Sequence, residues 1–193
     1  MKSVSKLNDE IFIGLGANLG SPPQTFRLAL ALIERFAQIN SVSKLYKSAP
    51  FGYSDQPPFN NAVASLSTSL DPNQLLIRLQ QVEGALGKEV IHENGPRLID
   101  LDLLLYQDQV MESKELTLPH PGVLSRDFVL LPLLEINPLL SHPSWGRKTL
   151  KSALQEIDRK YVQDDPEDWN HQIEINADNG MDKKKEKSLL KDS

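Results

Sequence analysis

Apolar and polar positions alternate along the first 160 residues in a way that predicts four strands and four helical segments. Strands are expected at short apolar runs or two-residue alternations, namely 11–14, 42–46, 61–70 and 98–106. Helices are expected where apolar residues recur every three or four positions, namely 22–37, 72–86, 128–134 and 150–161. Asp71 and Gln74 have the spacing of a capping box for the second helix, and Gly87 is placed to end it.

The order of these elements predicts the fold class. A β-α-β-β-α-β core is typical of an α+β, ferredoxin-like fold, with an antiparallel sheet, two helices on one face and here a C-terminal extension. The segment 98–106 is apolar except for two aspartates, which predicts a central strand. We expect one domain over 1–162 and a mobile tail over 163–193, since that tail has nine acidic and five basic residues and few large apolar groups.

Composition narrows the function classes. The chain has 193 residues and a net charge of −5, so it lacks the basic balance of a nucleic-acid-binding protein. The absence of cysteine excludes disulfides, thiolate catalysis and cysteine-ligated zinc. No apolar run approaches the roughly 18 residues of a membrane span, and the first residues lack the features of a signal peptide. We therefore expect a cytoplasmic protein without nucleic-acid or membrane partners.

Asp100 and Asp102 carry the strongest chemical signal. Residues at i and i+2 on a strand leave the same face, so the two carboxylates can share a cation. Carboxylates in an apolar strand are costly unless they are paired or bound to metal, and Mg²⁺ combines one or two carboxylates with phosphate oxygens. Metal binding is the favoured interpretation, and a solvated strand face is the alternative.

Two groups of basic residues lie near this pair in sequence. Arg97 follows a Gly-Pro turn, and its guanidinium can hold phosphate oxygens or form a structural salt bridge. His120 stands between two prolines, which favours a structural turn, but together with Arg97 and Arg126 it can surround a polyphosphate. The histidines have no spacing that suits zinc.

Glycines and aromatic residues supply two weaker signals. The run GLGANLG at 14–20 suggests a dinucleotide site, but its third glycine is one place late and the expected acidic residue is missing, so a glycine turn is favoured. Phe51, Phe59 and Asn61 lie on or near a proline-rich loop. They can hold a flat heterocycle by stacking and edge hydrogen bonds, although core packing is the more common use of such phenylalanines.

Taken together, these segments resemble the 6-hydroxymethyl-7,8-dihydropterin pyrophosphokinases of folate biosynthesis. The resemblance spans nearly all of residues 11–138. It rests on GLGANLG (14–20), YKSAPFGYSDQPPFNNAV (46–63), GPRLIDLDLLLY (95–106) and LTLPHPGVLSRDFVLLPLLEINP (116–138).

The resemblance implies a ferredoxin-like fold and a magnesium-dependent transferase of the diphosphokinase type. Such an enzyme moves a pyrophosphoryl group from ATP to the hydroxymethyl group of 6-hydroxymethyl-7,8-dihydropterin and releases AMP. It implies a monomer in which Asp100 and Asp102 hold two Mg²⁺ ions and form the catalytic centre with Arg97. The residues implied to face ATP are Gln80, Glu83, Lys88, Arg97, Thr117, His120 and Arg126. Those implied to line the pterin pocket are Ser48, Phe51, Phe59, Asn61 and Phe128.

Several positions depart from the family pattern. Phe59 stands where tyrosine is frequent, and Gly122 stands where a larger residue is common. In the loop 88–94, Lys88 replaces a usual arginine and Asn94 a usual tryptophan, which predicts weaker ATP binding or slower loop closure. Two alternatives stay open: another Mg²⁺-dependent enzyme on nucleotides, such as a phosphohydrolase, and a non-catalytic module that binds nucleotide or pterin.

Overall fold

The computed structural model describes residues 10–89 and 95–169. These residues form strands β1 (Ile11–Ala17), β2 (Gln38–Val42), β3 (Tyr46–Ser48), β4 (Phe59–Ser67), β5 (Asp100–Tyr106), β6 (Met111–Glu112) and β7 (Thr117–Leu118). The helices are α1 (Pro22–Ile33), α2 (Pro72–Ala85), α3 (Asp127–Ile136) and α4 (Leu150–Glu156), with a 3-10 turn at Pro143–Trp145. Within the described ranges, no helix is both long enough and apolar enough to span a bilayer.

The main sheet is antiparallel throughout, with strand order β2-β4-β1-β5. Strand β3 pairs with the Phe59–Asn61 end of β4, on the same edge that β2 occupies further along. Strands β6 and β7 pair separately as a short hairpin. This arrangement confirms the α+β, ferredoxin-like core that the order of elements predicts.

The two faces of the sheet have different coverings. On one face, Ile13 and Leu15 of β1 pack in the core beneath α1 and α2. On the other face, Phe12, Val63 and Leu104 pack with α3 and α4, which the C-terminal extension supplies. The extension therefore adds a second helical layer to the predicted core, because apolar side chains leave both faces of the central strands.

The ends of α2 follow their local sequence signals. The backbone N–H of Gln74 donates to the Asp71 carboxylate at 2.9 Å, and the Asp71 N–H donates to the Gln74 side chain at 3.1 Å. Gly87 has φ +80°, a conformation that glycine adopts without steric cost, just after the last helical turn. The capping box and the glycine stop are both confirmed.

Other boundaries differ from the predictions. Strand β1 does not end at Gly14 but continues to Ala17, because β4 and β5 pair with it on both sides. The strand expected at 42–46 is two strands, with Ser43–Leu45 between β2 and β3. The prediction that 98–106 is central is wrong: among the described residues β5 pairs with β1 alone and forms an edge. Helix α4 also ends earlier than expected, at Glu156.

After α4 the chain returns along β3, and we call residues 161–169 the C-terminal segment. The Gln163 N–H donates to the Lys47 carbonyl at 3.0 Å, and Leu45 and Glu167 exchange two backbone hydrogen bonds of 2.9 and 3.0 Å. The Trp169 ring meets Phe26 edge-on, with centroids 5.8 Å apart. The domain boundary at residue 162 stays a prediction, and residues 170–193 of the expected tail lie outside the described residues.

Candidate active site

A cleft opens on the sheet face opposite α1 and α2, and two glycines form its floor. Gly14 lies opposite Asp102 and Val63 in the neighbouring strands, and Gly16 lies opposite Asp100 and Asn61. Because successive strand residues alternate between faces, the glycines remove side chains from the face that carries both aspartates. The GLGANLG run is thus a strand end that leaves space above the sheet, and this use of its first two glycines is invisible in their spacing.

Ten of the residues predicted for the site line this one cleft. Strands β3, β4 and β5 supply five of them, the loops before β4, β5 and α3 supply four, and the first turn of α3 supplies Phe128. They are Ser48, Phe51, Phe59, Asn61, Arg97, Asp100, Asp102, His120, Arg126 and Phe128. The folded chain therefore joins the acidic pair, the basic groups and the aromatic residues, which are separated by up to about 80 positions in sequence.

The acidic pair lies on one face of β5, as its spacing predicts. The Asp100 carboxylate is paired with the Lys88 ammonium at 2.7 Å and with Arg97 Nε at 3.0 Å. Burial raises the pKa of Asp102 to about 7, with the neighbouring charge of Asp100 contributing to the rise and Arg126 opposing it. A divalent cation with oxygen ligands would relieve the repulsion between the two carboxylates, so the pair fits such a cation.

Within the described ranges, the protein offers two carboxylates to a metal ion at this pair. Among residues 10–89 and 95–169, no group of three or more histidine, aspartate or glutamate side chains is arranged to hold a metal ion. Mg²⁺ commonly takes one or two carboxylates and completes its shell with water and phosphate oxygens. The donor set of Asp100 and Asp102 therefore fits a magnesium ion that arrives with a phosphate ligand.

Glu83 and Lys88 form a buried ion network behind Asp100. One Glu83 carboxylate oxygen accepts from Lys88 Nζ at 2.8 Å and from the Leu101 backbone N–H at 2.6 Å. Burial raises the pKa of Glu83, while Lys88 and the Leu101 N–H oppose that rise. In this structure Lys88 binds Asp100, and Glu83 fixes the end of α2 to the first residues of β5.

Phenylalanine rings form one wall of the cleft, and arginine guanidinium groups stack on these rings. The Arg97 guanidinium lies over the Phe59 ring at 5.0 Å, and that of Arg126 lies over Phe51 at 4.5 Å and Phe128 at 5.9 Å. The Asn61 amide donates to Ser48 Oγ at 2.9 Å, which fixes its orientation. Phe59 is buried, whereas Phe51 is 38% exposed at the rim. The wall thus presents flat rings beside one oriented amide.

His120 is fixed by its turn. Its backbone N–H donates to the Leu104 carbonyl at 2.8 Å, and its Nδ1 accepts from the Gly122 N–H at 3.0 Å. Burial and the charge of Arg126 lower the pKa of His120. Because Nδ1 is an acceptor, the neutral ring carries its proton on Nε2 and can donate one hydrogen bond from it.

Gly122 has a local packing role that its position in the sequence did not reveal. A Cβ at residue 122 would lie 3.0 Å from Arg126 Cδ and 3.1 Å from His120 Cε1. The missing side chain therefore lets the Arg126 side chain fold against the His120 turn while it reaches the aromatic rings.

A second cavity adjoins the first on the outer side of β5. Thr117, Lys114 and Leu76 line it, and Asp102 and His120 line both cavities. The two cavities therefore meet at Asp102 and His120, and Thr117 belongs to the second one. Gln80 lies on the exposed side of α2 and lines neither cavity. The loop 90–94, with Asn94, lies outside the described residues.

Asn18 is a site residue that the sequence reasoning missed. Its side-chain amide donates to Gln56 Oε1 at 2.9 Å and to the Pro57 carbonyl at 3.0 Å. Its carbonyl oxygen accepts from the Arg97 N–H at 2.8 Å. Asn18 therefore ties the proline-rich loop to the segment that carries Arg97. The signal available in the sequence was an asparagine within the glycine-rich run GLGANLG, since asparagine in turns often bonds to nearby backbone groups.

A carboxylate pair, two arginines and aromatic rings in one cleft of a ferredoxin-like sheet fit a protein that binds phosphate groups. The family model of 7,8-dihydro-6-hydroxymethylpterin-pyrophosphokinase matches residues 12–138. The chain belongs to this family. Residues 12–138 are therefore a pyrophosphokinase domain, which is a transferase.

Curated relatives agree with this family. The chain is 40% identical over 146 residues to the 2-amino-4-hydroxy-6-hydroxymethyldihydropteridine pyrophosphokinase of Aquifex aeolicus, covering 76% of this chain and 91% of that protein. It is 40% identical to the Haemophilus influenzae enzyme of the same name, with coverage of 80% and 98%. It is 43% identical to the folic acid synthesis protein fol1 of Pneumocystis carinii over 72% of this chain, but it spans only 19% of that longer protein.

Solved structures support the fold. The HPPK-DHPS triple mutant of Plasmodium falciparum with STZ-DHP matches 76% of this chain and 42% of that chain, with a TM-score of 0.61. The two sequences are only 14% identical in the matched region. The likeness therefore concerns the fold, and the assignment to the family rests on the family model and the curated relatives.

Proposed function

We propose that this chain transfers a pyrophosphoryl group from ATP to the hydroxymethyl oxygen of 6-hydroxymethyl-7,8-dihydropterin, giving AMP and the pterin diphosphate. The observation that carries the proposal is the cleft in which Asp100 and Asp102 lie beside an aromatic wall, while Asp102 also lines a second cavity. The aromatic side suits a flat heterocycle, and the far side suits a nucleotide. Family membership supports the same reaction.

The pterin is proposed to bind between Phe59 and Phe128, with its edge at Asn61 and with Ser48 and Phe51 lining the pocket. Stacking on flat rings suits a bicyclic heterocycle. The hydrogen bond from the Asn61 amide to Ser48 Oγ leaves its carbonyl oxygen available to a donor on that edge. Arginine guanidinium groups lie over the Phe51, Phe59 and Phe128 rings, so a pterin stacked on the same ring faces would require these groups to turn toward the phosphates.

ATP is proposed to occupy the other side of the acidic pair. Arg97 and Arg126 would bind phosphate oxygens, His120 would donate from Nε2, and Thr117 would lie beside the nucleoside in the second cavity. Phosphoryl transfer depends on the placement of the substrates and on neutralisation of phosphate charge more than on covalent catalysis. Hydrogen-bond donors and positive charges of this kind are therefore the groups that the protein needs to supply. Gln80 and Glu83 stay predicted nucleotide contacts, although Glu83 is engaged with Lys88 in this structure.

Asp100 and Asp102 are the residues that would hold Mg²⁺, and two ions is the number that the family resemblance implies. Bound there, the metal would neutralise phosphate charge and align the two substrates. Lys88 forms an ion pair with the Asp100 carboxylate in this structure, so metal binding at Asp100 requires Lys88 either to move away or to share the carboxylate with the metal.

Departures from the family pattern support a further proposal about the loop 88–94. This loop is poor in arginine, and Lys88 stands where an arginine is usual. We expect these differences to weaken ATP binding or to slow closure of the loop over the nucleotide. A monomeric state and a cytoplasmic location stay predictions.

The test is AMP formation from ATP and Mg²⁺ with and without 6-hydroxymethyl-7,8-dihydropterin. The double variant Asp100→Ala/Asp102→Ala should lose activity, whereas Asp164→Ala, an exposed aspartate paired with Lys47, should keep it. AMP that requires the pterin supports the proposal. ADP and phosphate formed without pterin would indicate a phosphohydrolase, and pterin binding without turnover would indicate a non-catalytic module.

A further inference from the structure

The C-terminal segment is hydrogen-bonded to the loop that carries Phe51 and to the start of α3, which carries Phe128. Tyr161 is its first residue and lies outside residues 12–138, which the family model matches. The Tyr161 carbonyl accepts from the Ala49 N–H at 2.8 Å, two positions before Phe51. The Tyr161 N–H donates to the Asp127 carboxylate at 2.7 Å, one position before Phe128. One residue is therefore bonded beside both rings.

Asp127 makes this connection rigid. Its side chain is 1% exposed, and the second oxygen of its carboxylate accepts from the Phe128 N–H at 2.9 Å. The oxygen that binds Tyr161 also accepts from the Val162 N–H at 2.9 Å. A buried carboxylate that receives three backbone donors leaves little freedom to the segments that supply them.

The Tyr161 ring completes the contact. It lies 5.5 Å from the Phe51 ring at 54° and 5.9 Å from the Phe128 ring at 88°, both within the range of favourable aromatic pairs. The Arg159 guanidinium lies over the Tyr161 ring at 4.9 Å. Tyr161 does not line the cleft itself, whereas Phe51 and Phe128 do. Any effect of Tyr161 on a ligand must pass through those two rings.

We propose that Tyr161 is a positioning residue for the pterin pocket and that it fixes the Phe51 and Phe128 rings for stacking. The inference rests on the proposed function, since it assigns the flat ligand to this wall. It makes the C-terminal segment part of the pterin-binding apparatus, although that segment contributes no atom to the cleft lining. The tyrosine hydroxyl has no part in the proposal, so phenylalanine should replace tyrosine without loss.

The test measures binding of 6-hydroxymethyl-7,8-dihydropterin to the full chain with Mg²⁺ and α,β-methylene-ATP, which binds without transfer. Tyr161→Leu should raise the pterin Kd about tenfold, because the Phe51 and Phe128 rings would both lose the aromatic partner that fixes them. The Kd of the ATP analogue should not change. Tyr161→Phe should restore the pterin Kd of the unaltered protein.

Two controls separate positioning from general stability. Trp169→Leu removes the other aromatic anchor of the C-terminal segment, at Phe26 and the Ser43 carbonyl, and should lower the melting temperature without changing the pterin Kd. In a Phe51→Leu background, the effect of Tyr161→Leu should shrink, because part of its path to the ligand is gone. That coupling can be measured even if Tyr161→Leu is less stable.

The outcomes are distinct. A pterin Kd that is the same in Tyr161→Leu and in the unaltered protein would overturn the inference while leaving the proposed function intact. Equal losses of pterin and ATP-analogue affinity, or full additivity with Phe51→Leu, would also overturn it in favour of a structural role. If the unaltered protein binds no pterin, the proposed function fails together with this inference.

Discussion

Replacing Lys88 with methionine tests the ion network between α2 and β5. The Lys88 ammonium lies 2.8 Å from Glu83 and 2.7 Å from Asp100, and the side chains of these three residues are 19%, 9% and 21% exposed. Methionine keeps the length of the side chain and removes its charge. The Glu83 carboxylate would then keep only the Leu101 N–H, and Asp100 would keep only Arg97.

The expected loss follows from burial. Removing one partner of a fully buried ion pair costs about 3–5 kcal/mol because the other charge is left uncompensated. Partial exposure of Lys88 and Asp100 screens the interaction, which reduces the expected loss to about 2 kcal/mol. For a chain of this size, that corresponds to a melting temperature about 4–8 °C lower.

The matched control is Lys148→Met. Lys148 pairs with Glu156 at the same 2.7 Å, but these side chains are 42% and 58% exposed. Exposed pairs contribute about 0–1 kcal/mol, so this variant should change the melting temperature little. Chemical and thermal unfolding of both variants, followed by circular dichroism, give the comparison.

Two further measurements constrain the explanation. Adding Glu83→Gln to Lys88→Met should recover part of the lost stability, because a neutral amide still accepts from the Leu101 N–H. Burial already raises the pKa of Glu83, and loss of Lys88 raises it more. A carboxyl whose pKa is raised by folding stabilises the protein below its ordinary pKa, and this contribution is lost as the pH rises through the folded-state pKa. The stability deficit of Lys88→Met should therefore be larger at about pH 8 than at about pH 5.

The reasoning would be refuted if Lys88→Met were no more destabilising than Lys148→Met. It would also be refuted if Glu83→Gln gave no recovery, or if the deficit grew as the pH fell.

Three other substitutions test the geometry of the cleft. Gly16→Ala places a Cβ 3.8 Å from Asn61 and Asp100, so the variant should fold normally by calorimetry. Its kcat/KM should fall about tenfold or more, because a small misplacement of the ligand is costly. Unchanged kinetics would show that the floor of the cleft does not contact the ligand. Gly122→Ala should displace the Arg126 side chain from the Phe51 ring. Titration calorimetry should then show about threefold weaker binding of the ATP analogue. A crystal structure of the variant with Arg126 unmoved would contradict the explanation. Asn18→Ala should lower the free energy of unfolding by about 2 kcal/mol, because the hydrogen bonds to the proline-rich loop and to Arg97 are lost. A change below about 0.5 kcal/mol would contradict the conclusion that Asn18 holds these two segments together.

The features that the sequence predicted well are those with a local cause. The Asp71 and Gln74 capping box depends on residues three apart, and the shared face of Asp100 and Asp102 depends only on strand geometry. Family motifs then assigned Ser48, Phe59 and the other lining residues to one cleft, because those motifs record the fold's long-range contacts. Their catalytic and binding roles stay predictions.

The features that were missed depend on partners far away in the chain. Gly14 and Gly16 have low strand propensity, so only their pairing with β4 and β5 keeps them extended. The edge position of β5 is also a property of strand order, and its apolar character reflects cover from α2 and from the segment around β7. Tyr161 is hydrogen-bonded to Asp127, which lies 34 positions earlier, and no local sequence pattern predicts that contact.

The register between β1 and β5 has a consequence for folding as well as for the cleft. Gly14 faces Asp102 and Gly16 faces Asp100, with an irregularity between Phe12 and Ile13. A slip of one residue in β5 would turn both carboxylates into the apolar layer beneath α2 and would expose Leu101 and Leu103 on the cleft side. Burying two unpaired charges costs several kcal/mol for each, so the misaligned sheet is strongly disfavoured. The same two aspartates that suit the site for chemistry therefore also select the correct strand alignment while the chain folds.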